Sequence, residues 1–360
     1  MRIGLAYNQR PDDVIIDGDG ERRTTFEPLT DAYVEWDDAE TIAAVRGALR
    51  AFGDVVMLEA VGDFATRLAA ARVDFLFNMA EGTLGPNREA HVPAIAEFLG
   101  VPYLGSDPLT LGLSLHKVRA KEVFRQRGIP TAAFTWIETD DDLHVLANGQ
   151  RYPVFLKPVW EGSSKGIAEA NYVATAAEAQ ARARHLLATY QQPVLAEAFL
   201  PGEEFTVAIL GNGADARALP IIRYRFEALP SGALPIMGYE AKWKWDVPDN
   251  PLDVLECPAE IDGPLAERVR KTAIAAFHAL GCRDWARVDV RLDGDGVPNV
   301  IEINPLPGII PDPVANSCFP RAAWAAGMTY DELIQAAART AWRRITGREL
   351  APERMNGAAA

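Results

Sequence analysis

Chemically suggestive residues lie near the C-terminal end, where two runs alternate apolar and polar residues around an Asp-Gly-Asp-Gly turn. This pattern predicts a β-hairpin over residues 285–304. Strand side chains change faces at every step, so Arg287 and Asp289 share a face of the first strand. In the same way, Glu302 and Asn304 share a face of the second. If these faces coincide, the oxygen ligands suit Mg²⁺, which takes one or two carboxylates together with substrate phosphates. The alternative is a charged strand face turned to water.

A glycine- and serine-rich loop is the second candidate. The string FLKPVWEGSSKG places Lys157 at the end of a strand, with Ser163, Ser164 and Lys165 in the loop that follows. Backbone N–H groups and hydroxyls of such a loop can close on phosphate oxygens, and a lysine adds charge. Similar loops are common and usually only flexible, so this string alone does not establish a site.

Two glutamates follow the loop in the chain. Glu197 ends one predicted strand, the chain turns at a Pro-Gly pair, and Glu204 opens the next strand. Both carboxylates can accept hydrogen bonds from ribose hydroxyls or an adenine amine. Alternatively, either one caps the turn. The sequence has no GxxxxGK[ST] phosphate loop, and the Asn-Gly at residues 212–213 favours a hairpin turn.

The elements that would position these residues follow from apolar periodicity and from glycine and proline. Residues 1–107 alternate strands and helices, which predicts a small parallel α/β domain. Later strands and helices predict an α+β arrangement. The predicted domains are 1–107, 108–196 and 197–349, and the tail at 350–360 is expected to be disordered. Expected strands lie at 1–7, 54–58, 74–78, 101–105, 152–157, 194–197, 204–210, 217–224, 285–292 and 298–303, and expected helices at 38–52, 89–99, 107–128, 175–190, 264–280 and 324–345.

Composition limits the class of protein. The chain has 360 residues, of which 49% are hydrophobic, enough for two or three globular domains. Its net charge of −14 argues against binding nucleic acid or anionic lipid. No apolar run reaches membrane-spanning length, and the first residues predict a strand rather than a signal peptide. Cys257, Cys282 and Cys318 lack metal or disulfide spacing, which indicates reduced thiols and a cytoplasmic protein.

The order of these features resembles the ATP-grasp superfamily, and within it the D-alanine–D-alanine ligase-like branch. The strings FNMAEG and FLKPVWEGSSKG are similar to that family's N-terminal junction and central loop. The strings EAFLPGEEFTVAILG, YEAKW, GCRDWARVDVRLD and EINPLPG are similar to its C-terminal series. The resemblance covers about residues 70 to 340.

The resemblance implies a fold and an activity. The expected fold class is α/β, with an N-terminal parallel α/β domain followed by two α+β lobes that grip ATP. The expected activity is ATP-dependent ligation of a carboxylate to an amine through an acyl phosphate, with release of ADP and phosphate. Small-molecule carboxylates and amines are then the expected partners, and a homodimer is a family expectation.

The resemblance also implies roles for individual residues. The implied nucleotide-binding residues are Lys117, Lys157, Glu161, Ser163, Ser164, Glu197, Glu204 and Lys242. Asp289, Glu302 and Asn304 would hold two Mg²⁺ ions, for which Mn²⁺ is an alternative. The implied catalytic residues are Arg287, which would neutralise the oxyanion of the tetrahedral intermediate, Lys242 and Ser163. Alternatively, Lys117 and Lys242 are surface lysines and Arg287 only pairs with Asp289.

The substrate side departs from that family. Residues 8–13 lack a glycine-rich segment with a clamping glutamate, residues 83–91 replace a His-Gly segment, and Trp243 stands in place of a tyrosine. Residues 309–317 replace a serine-bearing segment. We therefore expect that a pair of D-alanines is not the preferred substrate. Arg88 or His91 would then meet a different acid, or form an ordinary surface pair.

Three functions remain open on the sequence alone. The first is a ligase for another amino acid or a specialised metabolite, since SDPLTLGLSLHK resembles enzymes that attach an amino acid to mycosporine-type precursors. The second is a D-alanine–D-alanine ligase of cell-wall synthesis. The third is a non-catalytic ATP-binding regulatory protein, which would not need Arg287 and the three metal ligands together.

Overall fold

The computed structural model describes residues 1–11, 33, 35–241, 245 and 252–352. Its N-terminal part is a parallel sheet of order β2-β1-β3. The side chain of Asp38 begins the first helix by accepting a hydrogen bond from the Thr41 N–H at 2.7 Å. The strands are β1 (Arg2–Tyr7), β2 (Asp54–Glu59) and β3 (Phe75–Asn78), and the helices are α1 (Ala39–Leu49), α2 (Phe64–Ala71) and α3 (His91–Leu99).

The strand predicted at residues 101–105 is wrong. Only a single bridge, between Tyr103 and Leu76, pairs this segment with the sheet. The chain then turns at Gly105, whose N–H donates to the buried carboxylate of Asp284 at 2.8 Å. The hydrogen bond that would extend the strand is therefore directed to the C-terminal part of the molecule.

The helical segment predicted at 107–128 is two helices, α4 (Pro108–Leu115) and α5 (Lys117–Gln126). His116 separates them, and its Nδ1 accepts a hydrogen bond from the Arg119 N–H at 3.3 Å. This side-chain cap begins a new helix. It makes Lys117 the first residue of α5 and directs it toward the next lobe.

The central lobe is an antiparallel sheet of order β4-β7-β5-β6, covered by one helix. A capping box of Thr175 and Glu178 begins that helix. Strand β4, which pairs with β7, has no counterpart among the predicted strands. The elements are β4 (Phe134–Ile137), β5 (Val154–Pro158), β6 (Tyr172–Val173), α6 (Ala176–Tyr190) and β7 (Val194–Ala198).

The C-terminal lobe is a sheet of order β11-β10-β8-β12-β13, with β9 also paired to β8. The strand predicted at 217–224 is split at residues 219–221, where Pro220 lacks the N–H needed for a continuous ladder. The strands are β8 (Glu204–Leu210), β9 (Arg217–Ala218), β10 (Ile222–Tyr224), β11 (Leu255–Glu256), β12 (Trp285–Leu292) and β13 (Pro298–Asn304), and the helices are α7 (Gly263–Leu280), α8 (Cys318–Ala325) and α9 (Tyr330–Thr346).

The last helical region, predicted at 324–345, begins earlier and is interrupted. Helix α8 starts at Cys318, and Gly327, at a φ of 82°, ends the turn that separates it from α9. Only glycine adopts this left-handed conformation without strain. The break lets α9 fold back against α1 of the N-terminal sheet.

The predicted fold class is confirmed: an α/β protein whose N-terminal parallel sheet is followed by two antiparallel sheets with their helices. The N-terminal and C-terminal parts share one apolar core. In it Trp285 lies 5.7 Å, between ring centroids, from both Phe77 and Phe319. No helix in the described part of the chain has the length and apolar character needed to cross a membrane.

Candidate active site

The predicted hairpin forms, and its two polar faces coincide. Arg287 lies opposite Asn304 and Asp289 opposite Glu302, with a bulge after Asp289. The intervening residues Val288 and Ile303 point the other way, into the core. Alternation along the two strands therefore places a guanidinium, two carboxylates and an amide on one surface, as the sequence predicts.

Arg287 is held by its neighbours on this surface. Its Nε and Nη2 lie 3.1 and 2.9 Å from the two carboxylate oxygens of Asp289, and Nη2 lies 3.7 Å from Glu302. Thr206 of β8 donates its hydroxyl to Asp289. Burial opposes the charged form of Arg287, but Asp289, together with Tyr224 and Cys318, outweighs burial and holds the pKa of Arg287 well above its usual value. Arg287 and Asp289 therefore form an ion pair, which fixes the guanidinium on the hairpin surface.

The donor set on this surface fits a divalent cation. Asp289, Glu302 and Asn304 offer two carboxylates and an amide oxygen, which are ligands that Mg²⁺ accepts. The Asn304 amide nitrogen is buried without a hydrogen-bond partner among the residues described here. The described residues contain no cluster of three or more Asp, Glu, His or Cys side chains that could hold a metal alone. Phosphates and water would have to complete the coordination, so the metal site stays a prediction.

Glu197, in strand β7 of the central lobe, lies between two lysines. Lys157 approaches one carboxylate oxygen to 2.6 Å, and Lys121 approaches the other to 2.7 Å. Burial alone raises the pKa of Glu197, but the two ammonium groups more than offset it and lower that pKa to about 2. Lys121 was not among the residues predicted from the sequence. The signal was its position one helical turn after Lys117, on the same face of α5.

Lys117 is not a surface lysine, because only 9% of its side chain is exposed. Its ammonium group donates to the Glu161 carbonyl oxygen and lies 3.6 Å from Glu302. Lys117 therefore connects the glycine-rich loop to the hairpin surface.

Glu204 is paired with Arg291, a residue that was not predicted from the sequence. Arg291 donates to its carboxylate at 2.9 Å and to the Pro235 carbonyl oxygen at 2.8 Å. The rings of Phe199 and Phe226 lie 4.9 and 5.3 Å from the guanidinium carbon. Burial raises the pKa of Glu204, and Arg291 counteracts that shift.

The glycine-rich loop is anchored. Glu161 contacts Lys165 at 2.8 Å and Gln192 at 2.7 Å, so its carboxylate supports the loop. Ser164 donates to the Met237 carbonyl oxygen at 2.9 Å. Ser163 and Ser164 both have positive φ angles, 47° and 61°. These contacts tie the loop to the residues around it.

Most of the predicted residues line one cleft. Tyr224 and Arg291, which were not predicted, also line it. Lys242 and Trp243 lie outside the described residues. The predicted residues on its wall are Lys117, Lys157, Glu161, Ser163, Ser164, Glu197, Glu204, Arg287, Asp289 and Glu302.

Arg88 is not available to a substrate acid in this structure. It is buried and bound to both carboxylate oxygens of Glu35. His91 is exposed at the start of α3. The expectation that one of them meets a different acid therefore fails for Arg88, because Glu35 already neutralises it.

The comparisons with known proteins agree with this geometry. The family model described as the D-ala D-ala ligase C-terminus matches residues 123–337. The D-alanine–D-alanine ligase of Bordetella avium is 35% identical over 316 residues, 88% of this chain and 92% of that protein. The chain belongs to the D-alanine–D-alanine ligase family. It is therefore an ATP-grasp enzyme, an ATP-dependent ligase that forms a carbon–nitrogen bond, of a family that uses ATP and a divalent metal.

Further proteins similar to this ATP-grasp ligase are one uncharacterized relative and two ligases with solved structures. The uncharacterized protein y4sG of Sinorhizobium fredii is 37% identical over 300 residues, 82% of this chain and 83% of that protein. The crystal structure of the D-alanine–D-alanine ligase of Bacillus anthracis has a TM-score of 0.68 at 25% identity, covering 96% of this chain and 98% of that one. The VanG D-Ala:D-Ser ligase of Enterococcus faecalis, at 18% identity and a TM-score of 0.67, covers 94% of this chain and 99% of that one and shares the fold.

Proposed function

We propose that this ATP-grasp ligase joins two amino acids through an acyl phosphate, and that D-alanine is the first substrate to test. The observation that carries the proposal is the convergence of Lys117, Lys157, Arg287, Asp289 and Glu302 on one cleft. The relatives named D-alanine–D-alanine ligase support D-alanine as the substrate. The free thiols of the three cysteines agree with the predicted cytoplasmic location.

The proposed reaction has two steps. The carboxylate of the first amino acid attacks the γ-phosphate of ATP, and ADP leaves. The amine of the second amino acid then attacks the acyl phosphate, phosphate leaves, and an amide forms. Transfer of this kind depends on positioning and on the stabilisation of developing charge.

The residues of the cleft have distinct proposed roles. Lys117 and Lys157 would neutralise phosphate charge, and Arg287 would stabilise the oxyanion that develops when the amine attacks. Glu204 would accept from ribose hydroxyls, and Glu197, although bound by two lysines, retains lone pairs for the adenine amine. Asp289, Glu302 and Asn304 would hold one or two Mg²⁺ ions, or Mn²⁺ in their place. The metal would neutralise charge on the phosphates.

A second candidate is a ligase for an amino acid other than D-alanine. The observation that favours it is the buried Arg88–Glu35 pair, which holds the backbone of the loop beside the cleft and which the sequence resemblance did not imply. The departures at residues 83–91 and 309–317 support the same candidate. The expectation that D-alanine is not preferred therefore stays a prediction.

The deciding experiment measures phosphate release with single amino acids and with pairs, followed by product mass. The panel contains D-alanine, other D-amino acids, L-amino acids and cyclic enaminone-type acids. A kcat/KM of about 10⁴ M⁻¹s⁻¹ or more for D-alanine, above all others, supports the first candidate. A higher value for another acid supports the second. AMP and pyrophosphate as products, or no turnover with any pair, would contradict the proposed chemistry.

A further inference from the structure

A buried ion pair from the N-terminal part of the chain lies against the glycine-rich loop. Arg88 donates through Nε and Nη2 to the two carboxylate oxygens of Glu35, at 3.0 and 2.6 Å. Only 6% of each side chain is exposed. Two parallel hydrogen bonds of this kind fix the orientation of both groups.

Both members of the pair hold the backbone of the loop. Arg88 donates its remaining terminal nitrogen, Nη1, to the Trp160 carbonyl oxygen at 2.8 Å. Glu35 accepts the N–H of Gly162 at 3.0 Å. A Cβ atom at Gly162 would lie 2.4 Å from the Glu35 carboxylate oxygen. Glycine at this position is therefore what lets the carboxylate reach the loop.

The residues that follow Gly162 have a strained backbone. Ser163 and Ser164 both adopt left-handed conformations, with φ angles of 47° and 61°. Such conformations are unfavourable for residues with a Cβ and persist when the surroundings hold them in place. Turns of this kind can aim successive N–H groups at an anion, and both serines line the cleft.

We propose that Glu35 and Arg88 are a positioning pair for the ATP phosphates. The pair fixes residues 160–162 and so keeps Ser163 and Ser164 in the conformation that receives the terminal phosphates. Neither Glu35 nor Arg88 touches the nucleotide. The N-terminal part of the chain thereby sets the affinity of a loop that belongs to the central lobe. This inference rests on the proposed ATP-dependent function.

The test is calorimetric binding of ATP and of ADP, each with Mg²⁺, to the full chain and to Arg88→Met and Glu35→Gln. ADP lacks the terminal phosphate, so a misplaced loop should weaken ATP binding more than ADP binding. We expect the ratio of ATP to ADP affinity to fall about tenfold in each variant. A change of this size corresponds to the loss of one of the weaker hydrogen bonds to a charged group. Arg88→Lys, which keeps the charge but loses the planar fork, should fall in between.

The matched control is Arg283→Met. It breaks the Arg283–Asp107 pair, which at 2.6 Å also joins the N-terminal and C-terminal parts but does not contact the loop. The control should lose stability without a change in the ATP to ADP ratio. An equal change of that ratio in Arg283→Met would show a general effect of loosening the chain and would overturn the proposal.

A second measurement keeps the proposal testable if Arg88→Met fails to fold. Gly162→Ala places a methyl group against Glu35 without removing any charge. It should lower the ATP to ADP ratio in the native chain, and much less in the Glu35→Ala background, where the steric conflict is gone. Equal effects in both backgrounds would contradict the proposal.

The outcomes separate this inference from the proposed function. A native chain that binds neither ATP nor ADP contradicts the proposed function itself. Binding of ATP with an unchanged ATP to ADP ratio in Arg88→Met and Glu35→Gln leaves the ligase function standing and overturns the positioning role.

Discussion

At the scale of single residues, Glu197 shows how charge neutralisation creates a pH dependence. Its folded pKa of about 2 lies below its unfolded value of about 4.3. The stabilisation is therefore complete above about pH 4.3 and is lost as the pH falls through 2. Glu197→Gln should lower the free energy of unfolding by about 3 kcal/mol at pH 7. Urea unfolding at pH 7 and pH 3 is the measurement, and the difference between the two proteins should shrink to less than half. A difference independent of pH would refute the assignment.

Glu302 tests the predicted metal site. Glu302→Gln keeps the shape of the side chain but removes one of the two carboxylates of the hairpin surface. We expect turnover to fall about 100-fold or more, as when one preorganised charge stabiliser is removed. Added Mg²⁺ should restore part of it, and circular dichroism should show an intact fold. Normal turnover at ordinary Mg²⁺ concentrations would remove Glu302 from the metal site.

At the scale of elements, the glycine-rich loop is anchored through Glu161, Gly162 and Ser164. We therefore expect trypsin to cut after the exposed Arg151 faster than after Lys165, whose ammonium group is paired with Glu161. ATP with Mg²⁺ should slow cleavage after Lys165 further, because loop closure suppresses local opening. Cleavage after Arg151 is the internal control. Equal rates after Lys165 with and without nucleotide would count against a loop that closes over ATP.

At the scale of the whole molecule, Asp284 joins three parts of the chain. Its fully buried carboxylate accepts from the Gly105 N–H, from Asn212 and from Arg344 of α9. Arg344→Met leaves this charge without its guanidinium partner. We expect a loss of about 3–5 kcal/mol in the free energy of unfolding, with ligase turnover retained at low temperature.

The neighbouring residue supplies the control for that prediction. Arg343 pairs with Glu349 at 2.7 Å, but both side chains are more than half exposed. Arg343→Met should therefore change stability by less than about 1 kcal/mol. If urea unfolding gives equal losses for Arg343→Met and Arg344→Met, burial at Asp284 is not what makes the contact important.

The sequence by itself determined the chemistry of the hairpin surface. Alternation and an Asp-Gly turn placed Arg287, Asp289, Glu302 and Asn304 on two strand faces, and these faces coincide. The order of lysines and glutamates along the chain resembles that of the D-alanine–D-alanine ligase family, to which the chain belongs. These features are local, or depend on order along the chain, so one sequence carries them. The same local rules failed at residues 101–105, where a contact with the distant Asp284 replaces strand pairing.

Only the tertiary structure decided which charges neutralise one another. Lys121 reaches Glu197 across 76 positions of sequence, and Arg88 reaches Glu35 and Trp160 across different elements. Apolar periodicity does not specify such partners, because a charged residue on a helix face looks the same whether water or a carboxylate lies opposite. The partner is selected when the lobes pack and water is removed, since a buried charge left unpaired is strongly unfavourable.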